Sequence, residues 1–126
     1  MSWQAYVDTN LVGSGKIKHA AILGLQGGVW ATSPGFTIEQ AEQTAILGSF
    51  SNPASVQESG IRTAGAKYFT LQANERSVYG KKGGDGIILV KTTQAVLVAV
   101  YTAPTQAPEA TPVVEGLADY LISVGY

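Results

Sequence analysis

Apolar and polar positions form short, strand-like runs through most of this 126-residue chain, and only its two ends and one internal stretch follow a helical period. At the start, Ser2 is placed to cap a helix running to about Leu11. In it Trp3, Tyr6, Val7 and Asn10 fall on one side, three or four residues apart. At the other end Val113, Leu117, Leu121 and Val124 recur at helical spacing, with Tyr120 beside them and Glu115 and Asp119 directed elsewhere. Proline is tolerated at the first helical position and Thr111 is a good cap, so this closing helix is expected to start near Pro112. The internal stretch, Thr37-Ile38-Glu39-Gln40, fits a capping box with Thr37 as cap. Ile38, Ala41, Ala45 and Phe50 then supply an apolar stripe, which predicts a helix over about 38–50, broken at Asn52-Pro53.

Between these helices His19–Leu25 and Val29–Thr32 flank Gln26-Gly27-Gly28, a hairpin signal. After an irregular or helical stretch to Ser59, strands are expected at Ile61–Thr63, Ala66–Ala73, Arg76–Lys81, Gly86–Lys91 and Ala95–Tyr101. Their connections are too short for crossover helices, so neighbours must pair antiparallel as a meander. The nearly all-apolar strands Ile87–Val90 and Val96–Val100 require both sheet faces to be covered. The predicted fold class is therefore α+β: a central antiparallel sheet with the terminal helices on one face and the 38–50 helix on the other, in one domain spanning residues 1–126.

The aromatic residues change the picture. Trp3 and Tyr6 open the chain, Tyr120 and Tyr126 close it, and Trp30 is the one other tryptophan. If the terminal helices lie side by side, these rings form a half-wet shelf, since large rings with polar tips suit such positions.

Four strings carry a resemblance: Met1-Ser2-Trp3-Gln4-Ala5-Tyr6-Val7-Asp8, Val29-Trp30-Ala31-Thr32, Glu75-Arg76-Ser77-Val78-Tyr79-Gly80-Lys81, and the closing Leu117-Ala118-Asp119-Tyr120-Leu121-Ile122-Ser123-Val124-Gly125-Tyr126. In their order and in the chain's length the sequence resembles the profilins, in their fungal form. The resemblance implies a monomeric, cytoplasmic, non-enzymatic adaptor associated with the actin cytoskeleton and the cell cortex. It binds monomeric actin, speeds nucleotide exchange on it, and delivers it to proline-rich elongation factors such as formins. The resemblance implies a polyproline groove made of Trp3, Tyr6, Trp30, Tyr120, Leu121 and Tyr126. It implies an actin surface including Lys67, Gln72, Arg76, Tyr79 and Lys81, and phosphoinositide contacts at Arg76, Lys81 and Lys82. Gln72 departs from the arginine that relatives often have, and the late start expected for the closing helix departs from the family's earlier one. The alternative architecture is a PAS-like sensor, which would hold a small ligand between sheet and helix.

Composition narrows the chemistry further. There is no cysteine, which excludes disulfides and thiolate metal sites. His19 is the single histidine, and without a carboxylate pair at helical spacing beside it, a catalytic triad or histidine-based metal site is not indicated; no cofactor is expected. Gly13-Ser14-Gly15-Lys16 lacks the glycine and hydroxyl positions of a phosphate loop and reads as a helix stop, while Gly83-Gly84-Asp85-Gly86 reads as a hairpin turn. The net charge is −1, with all eight basic residues between Lys16 and Lys91 interleaved with acids, a poor pattern for nucleic acid. No leader is expected before Trp3, and the apolar runs are far short of the roughly 20 residues of a membrane span.

Overall fold

The computed structural model describes residues 2–126. Seven strands form one antiparallel sheet: β1 (His19–Gly24), β2 (Val29–Thr32), β3 (Ile61–Thr63), β4 (Ala66–Ala73), β5 (Ser77–Lys82), β6 (Asp85–Lys91) and β7 (Ala95–Tyr101), in the order β2-β1-β7-β6-β5-β4-β3. The predicted meander runs unbroken from β3 to β7, and β7 then pairs with β1 so that the β1–β2 hairpin completes the other edge. Arg76 lies just before β5 rather than on it, because the Asn74 carboxamide accepts from the amides of Arg76 and Ser77 and turns the chain there.

Strand alternation sorts the core into two layers. Ala20, Ile22, Ile88, Val90, Ala95, Leu97 and Ala99 face the terminal helices. Ala21, Leu23, Ile87, Leu89, Val96 and Val98 face α2 (Gln40–Ser49) and α3 (Pro53–Ser59). The space a sensor's ligand would need between sheet and terminal helices is filled by Val7, Leu11, Val114, Leu117 and Leu121, each buried against the first layer.

Three local expectations need correction. The Ser2 hydroxyl does cap the N-terminal helix, accepting from the Ala5 amide, but only α1 (Trp3–Ala5) is α-helical. Residues Tyr6–Leu11 wind as a π-helix, with the Val12 amide reaching back to the Val7 carbonyl, and a 3₁₀ turn at Val12–Ser14 ends at Gly15 with φ +79°. In the wider turn Val7 and Leu11 drop into the core together, while Tyr6 and Asn10 are left facing α4 (Ala107–Ser123).

α2 starts at Gln40, not at Ile38, and its cap is Glu39 rather than Thr37. Ile38 is needed in the core before the helix begins, which leaves Glu39 extended. Glu39 and Glu42 then bond each other's amides reciprocally, and Glu42 also accepts from Ala64 and Gly65, tying α2 to the β3–β4 turn. Ala41 and Ala45, expected in the stripe, are exposed; Ile46 and Phe50 carry the burial.

α4 begins at Ala107, capped by Gln106, and Pro112 lies inside it instead of starting it. The first turn survives because Gln106 and Glu109 form a capping box and Glu109 also binds Lys16 at 2.9 Å, while Ala110 is fully buried. Lys16 and the Gln106 amide hold the Glu109 carboxyl below its ordinary value. Pro112 removes one hydrogen bond of the second turn and is itself exposed. Pro112→Ala is therefore expected to raise stability by roughly 1–3 kcal/mol in urea unfolding. An unchanged or lower midpoint would show that the proline fits this turn without strain.

Candidate functional site

The aromatic shelf forms because two alanines of β7, Ala95 and Ala99, with Ala20 of β1, leave room for both terminal helices to lie close on the sheet. Trp3 becomes the centre. Its ring lies 4.7 Å from Trp30, 5.6 Å from Tyr6 and 5.3 Å from Tyr126, the last nearly edge-on at 87°. Tyr6 in turn lies 6.3 Å from Tyr120, so five aromatic residues from three elements and the chain's last residue meet in one band. Trp30, Tyr120 and Tyr126 remain 39%, 51% and 45% exposed, a degree of exposure that a core cluster would not leave. Desolvation first, and then the neighbouring Tyr120 and Tyr126 phenols, push the Tyr6 hydroxyl above its ordinary value. The Tyr6 phenol therefore stays protonated, as a donor, at neutral pH.

Leu121 is the exception among the predicted groove residues. It is fully buried in one cluster with Val7, Leu11 and Leu117, so its side chain supports the shelf from below. The helical stripe Val113–Leu117–Leu121–Val124 already turns it toward the core, and only the family resemblance puts it among the groove residues; one helical step of about 100° separates it from Tyr120. Beyond Tyr6 and Tyr120 the band continues into a cleft of about 310 Å³ lined also by Asn10, Val113, Gly116 and Leu117.

Two supports of the shelf are not legible from composition or spacing. Gly24 lies under the indole of Trp30: a Cβ there would come within 2.5 Å of the ring nitrogen. Gln4 donates to the Thr32 carbonyl at 2.8 Å and to Asp8 at 3.1 Å, fastening the N-terminal helix to the strand that carries Trp30.

The second candidate surface lies on the outer strands. Register places Gln72 opposite Tyr79 and Phe69 opposite Lys81, so by alternation Lys67, Gln72, Tyr79 and Lys81 share the sheet face that carries α4, beyond the helix's edge. A bulge between Thr70 and Gln72 adds Leu71, and both Leu71 and Phe69 are unusually open, at 63% and 70% exposed. Neither stands out in the sequence; an apolar residue in a strand reads as core until the covering helix is seen to stop short of it. Lys67 holds its ammonium 5.8 Å from the centre of the Phe69 ring, so this patch is apolar with a cationic rim.

Arg76 behaves differently. Its guanidinium binds Glu115 at 3.1 Å and Asp119 at 2.6 Å, which raises its proton affinity further, Asp119 contributing most. Glu115 also accepts from the hydroxyls of Ser77 and Tyr79, making it the polar hub between β5 and α4. The structure thus does not gather the predicted anion trio. Arg76 is engaged with α4 at one end of β5, Lys81 faces the patch near the other end, and Lys82 points to the opposite face by alternation. Sequence reading misses Glu115 because its partners lie 36 to 39 positions away. His19 stacks on Phe36 at 5.4 Å, a packing role. Among the described residues no group of three or more histidine, aspartate or glutamate side chains is placed to hold a metal ion.

Two outcomes are expected. Gly24→Ala should displace the Trp30 indole and alter intrinsic tryptophan fluorescence while the circular dichroism of the sheet is kept; an unaltered emission spectrum would mean the indole lies elsewhere. Burial first, and then the Glu115 hydrogen bond and charge, push the Tyr79 hydroxyl up to about 12. Since the unfolded phenol ionises near 10, the unfolded chain sheds this proton first, so stability must fall as pH rises from about 10 to 12. Tyr79→Phe should flatten that decline in alkaline unfolding titrations, and a slope identical to wild type would remove Tyr79 as its source.

Comparison with known proteins places this geometry in a family. The profilin family model matches residues 1–126. Profilin-1B of Acanthamoeba castellanii is 53% identical over 126 residues, covering all of both chains, and its solved structure superposes with a TM-score of 0.96 over 99% of this chain and 100% of its own. The profilin of Saccharomyces cerevisiae is 46% identical over 127 residues, again with complete coverage of both. Mouse profilin IIa, solved in complex with a double repeat from the FH1 domain of mDia1, shares the fold at 19% identity, with a TM-score of 0.82 and full coverage of both chains. On sequence over its whole length and on fold alike, the chain belongs to the profilin family.

Proposed function

We propose that residues 1–126 form one profilin domain that works as a two-sided adaptor: the aromatic shelf binds proline-rich segments and the outer-strand patch binds monomeric actin. The observation that carries the reading is the convergence of Trp30 and Tyr126 on Trp3, at 4.7 and 5.3 Å, while each keeps an exposed edge. Pyrrolidine rings pack on flat aromatic faces, and indole and phenol donors meet the carbonyls that a polyproline helix leaves unpaired. Such a helix is already extended, so docking costs little ordering entropy. The peptide bound by mouse profilin IIa supports the same use of this fold here.

On the second face, Phe69 and Leu71 supply apolar area and Lys67 and Lys81 a cationic rim, which suits an acidic protein surface. Arg76 and Tyr79 contribute through Glu115, as the edge of that surface nearest α4. Phosphoinositide headgroups are a further, weaker ligand, met by Lys81 and Lys67 rather than by Arg76, whose charge is already paired. The adaptor promotes nucleotide exchange on actin by binding it, an effect on the partner that needs no catalytic residue in this chain. It acts in the cytoplasm and at the cell cortex, where proline-rich elongation factors gather actin. Among the described residues no helix is long and apolar enough to cross a membrane.

Passing the protein over immobilised polyproline and probing the eluate for co-retained actin tests both faces at once; retention of the protein without actin would refute the second. Trp3→Ala should weaken polyproline binding by at least about 2 kcal/mol and leave actin binding near normal. Phe69→Ala and Lys81→Glu should do the reverse, and only the second should change the salt dependence of actin binding. If both substitutions leave actin affinity intact, the actin surface lies elsewhere on the molecule.

A further inference from the structure

We propose that Thr92 and Gln94, in the turn between β6 and β7, are positioning residues of the proline groove: they clasp the main chain of Gly125 and Tyr126 and thereby set the Tyr126 ring. The proposal rests on the proline-binding reading of the shelf and assigns it two residues that make no contact with a ligand.

The need for a clasp follows from the local chain. α4 ends at Ser123, and Gly125, with φ +92°, turns the chain back so that Tyr126 meets Trp3 edge-on. Residues just past a helix end fray unless something ties them down. Tyr126 is 45% exposed, so packing alone does little to hold it. Instead its main-chain oxygen accepts from the Gln94 amide at 2.6 Å and from the Thr92 hydroxyl at 2.7 Å. The Gln94 side chain donates to the Gly125 carbonyl at 2.8 Å, and the Tyr126 amide donates to Leu121 at 2.8 Å.

The same turn reaches the other side of the shelf. The Gln94 carbonyl accepts from the Leu25 amide at 3.0 Å, next to Gly24, on which the Trp30 indole lies. One turn therefore fixes the distance between the strand hairpin that carries Trp30 and the chain segment that carries Tyr126. Thr92 is buried, and its hydroxyl also accepts from the Ala95 amide at 3.1 Å, so the turn itself is rigid. A groove whose rings are set before the ligand arrives binds without paying to order them.

Gln94→Glu tests this, because it keeps the side chain's size but replaces the donor to Gly125 with a carboxylate oxygen, which loses the bond and sets two acceptors against each other. Polyproline affinity should drop at least about five-fold, the loss of one hydrogen bond being the lower bound, with actin affinity unchanged. Thr92→Val should give a similar drop and Thr92→Ser should restore it. In the ligand-free protein, amide ¹⁵N relaxation should show Gly125 and Tyr126 becoming mobile in Gln94→Glu. Wild-type polyproline affinity in both variants, or parallel losses of actin and polyproline binding, would overturn the clasp while leaving the proline reading in place; so would amides of Gly125 and Tyr126 that stay rigid in Gln94→Glu. A wild-type protein that does not bind polyproline would overturn the reading itself, and with it the role given to the clasp.

Discussion

The contact on which the rest depends is the apolar one between the two chain ends and a floor of small residues. Val7 and Leu11 from the N-terminal segment and Leu117 and Leu121 from α4 are buried over Ala20, Ala95 and Ala99. Burying side chains of this size contributes about 1.5–3 kcal/mol each, enough in sum to bring the two ends of the chain together. The alanines matter too, since larger residues at those three positions, added to Ile22, Ile88, Val90 and Leu97 on the same face, would hold the helices off the sheet and spread the rings above them. The shelf is thus a by-product of core packing: with Leu121 below, Tyr120 on the same helix is left above.

Much of this is legible in the sequence, and for definite reasons. The strands are readable because their apolar runs are bounded by glycine-rich turns such as Gly27-Gly28 and Gly83-Gly84, and their antiparallel order follows from connections too short for anything else. The aromatic positions are readable because large rings with polar tips at both ends suit half-wet sites, and the family resemblance joins Trp30 to them. The failures are local. Thr37 looks like a better cap than Glu39, but burial of Ile38 outweighs cap preference; Pro112 looks like a helix start, but the Gln106–Glu109 box and the Lys16 ion pair hold an earlier one. The notch at Gly24, the Glu115 hub and the bonds from Thr92 and Gln94 all join residues that no helical or strand repeat links, and periodicity carries no trace of such pairs.

The distribution of charge, which by itself says little, gains meaning from the fold. The acids after Lys91 all lie on α4, and each finds a basic partner from the earlier chain: Glu109 with Lys16, Glu115 and Asp119 with Arg76. These pairs are largely exposed and contribute modestly to stability. Their effect is on orientation: they add polar, directional contacts to a helix that meets the sheet through apolar side chains. They also decide which cations remain for partners. Arg76 is engaged within the molecule, whereas Lys67 and Lys81 stand beside an exposed phenylalanine.

α4 therefore serves both proposed surfaces from one rigid body. Its early part is registered by Lys16, its middle by Arg76 and Tyr79, and the residues beyond its end by Thr92 and Gln94. The proposed shelf uses this end of the chain mainly at Tyr120 and Tyr126, while the proposed outer-strand surface borders the helix near Glu115. Coupling between the two requires a conformational difference that both ligands sense. The helix is tied at its start and its middle, and the residues beyond its end are clasped separately, so neither proposed surface rests on a part of it that hangs free. Weak coupling between the two proposed faces is the outcome such anchoring favours, and it is the property an adaptor needs if it is to hold one partner while it is handed to another.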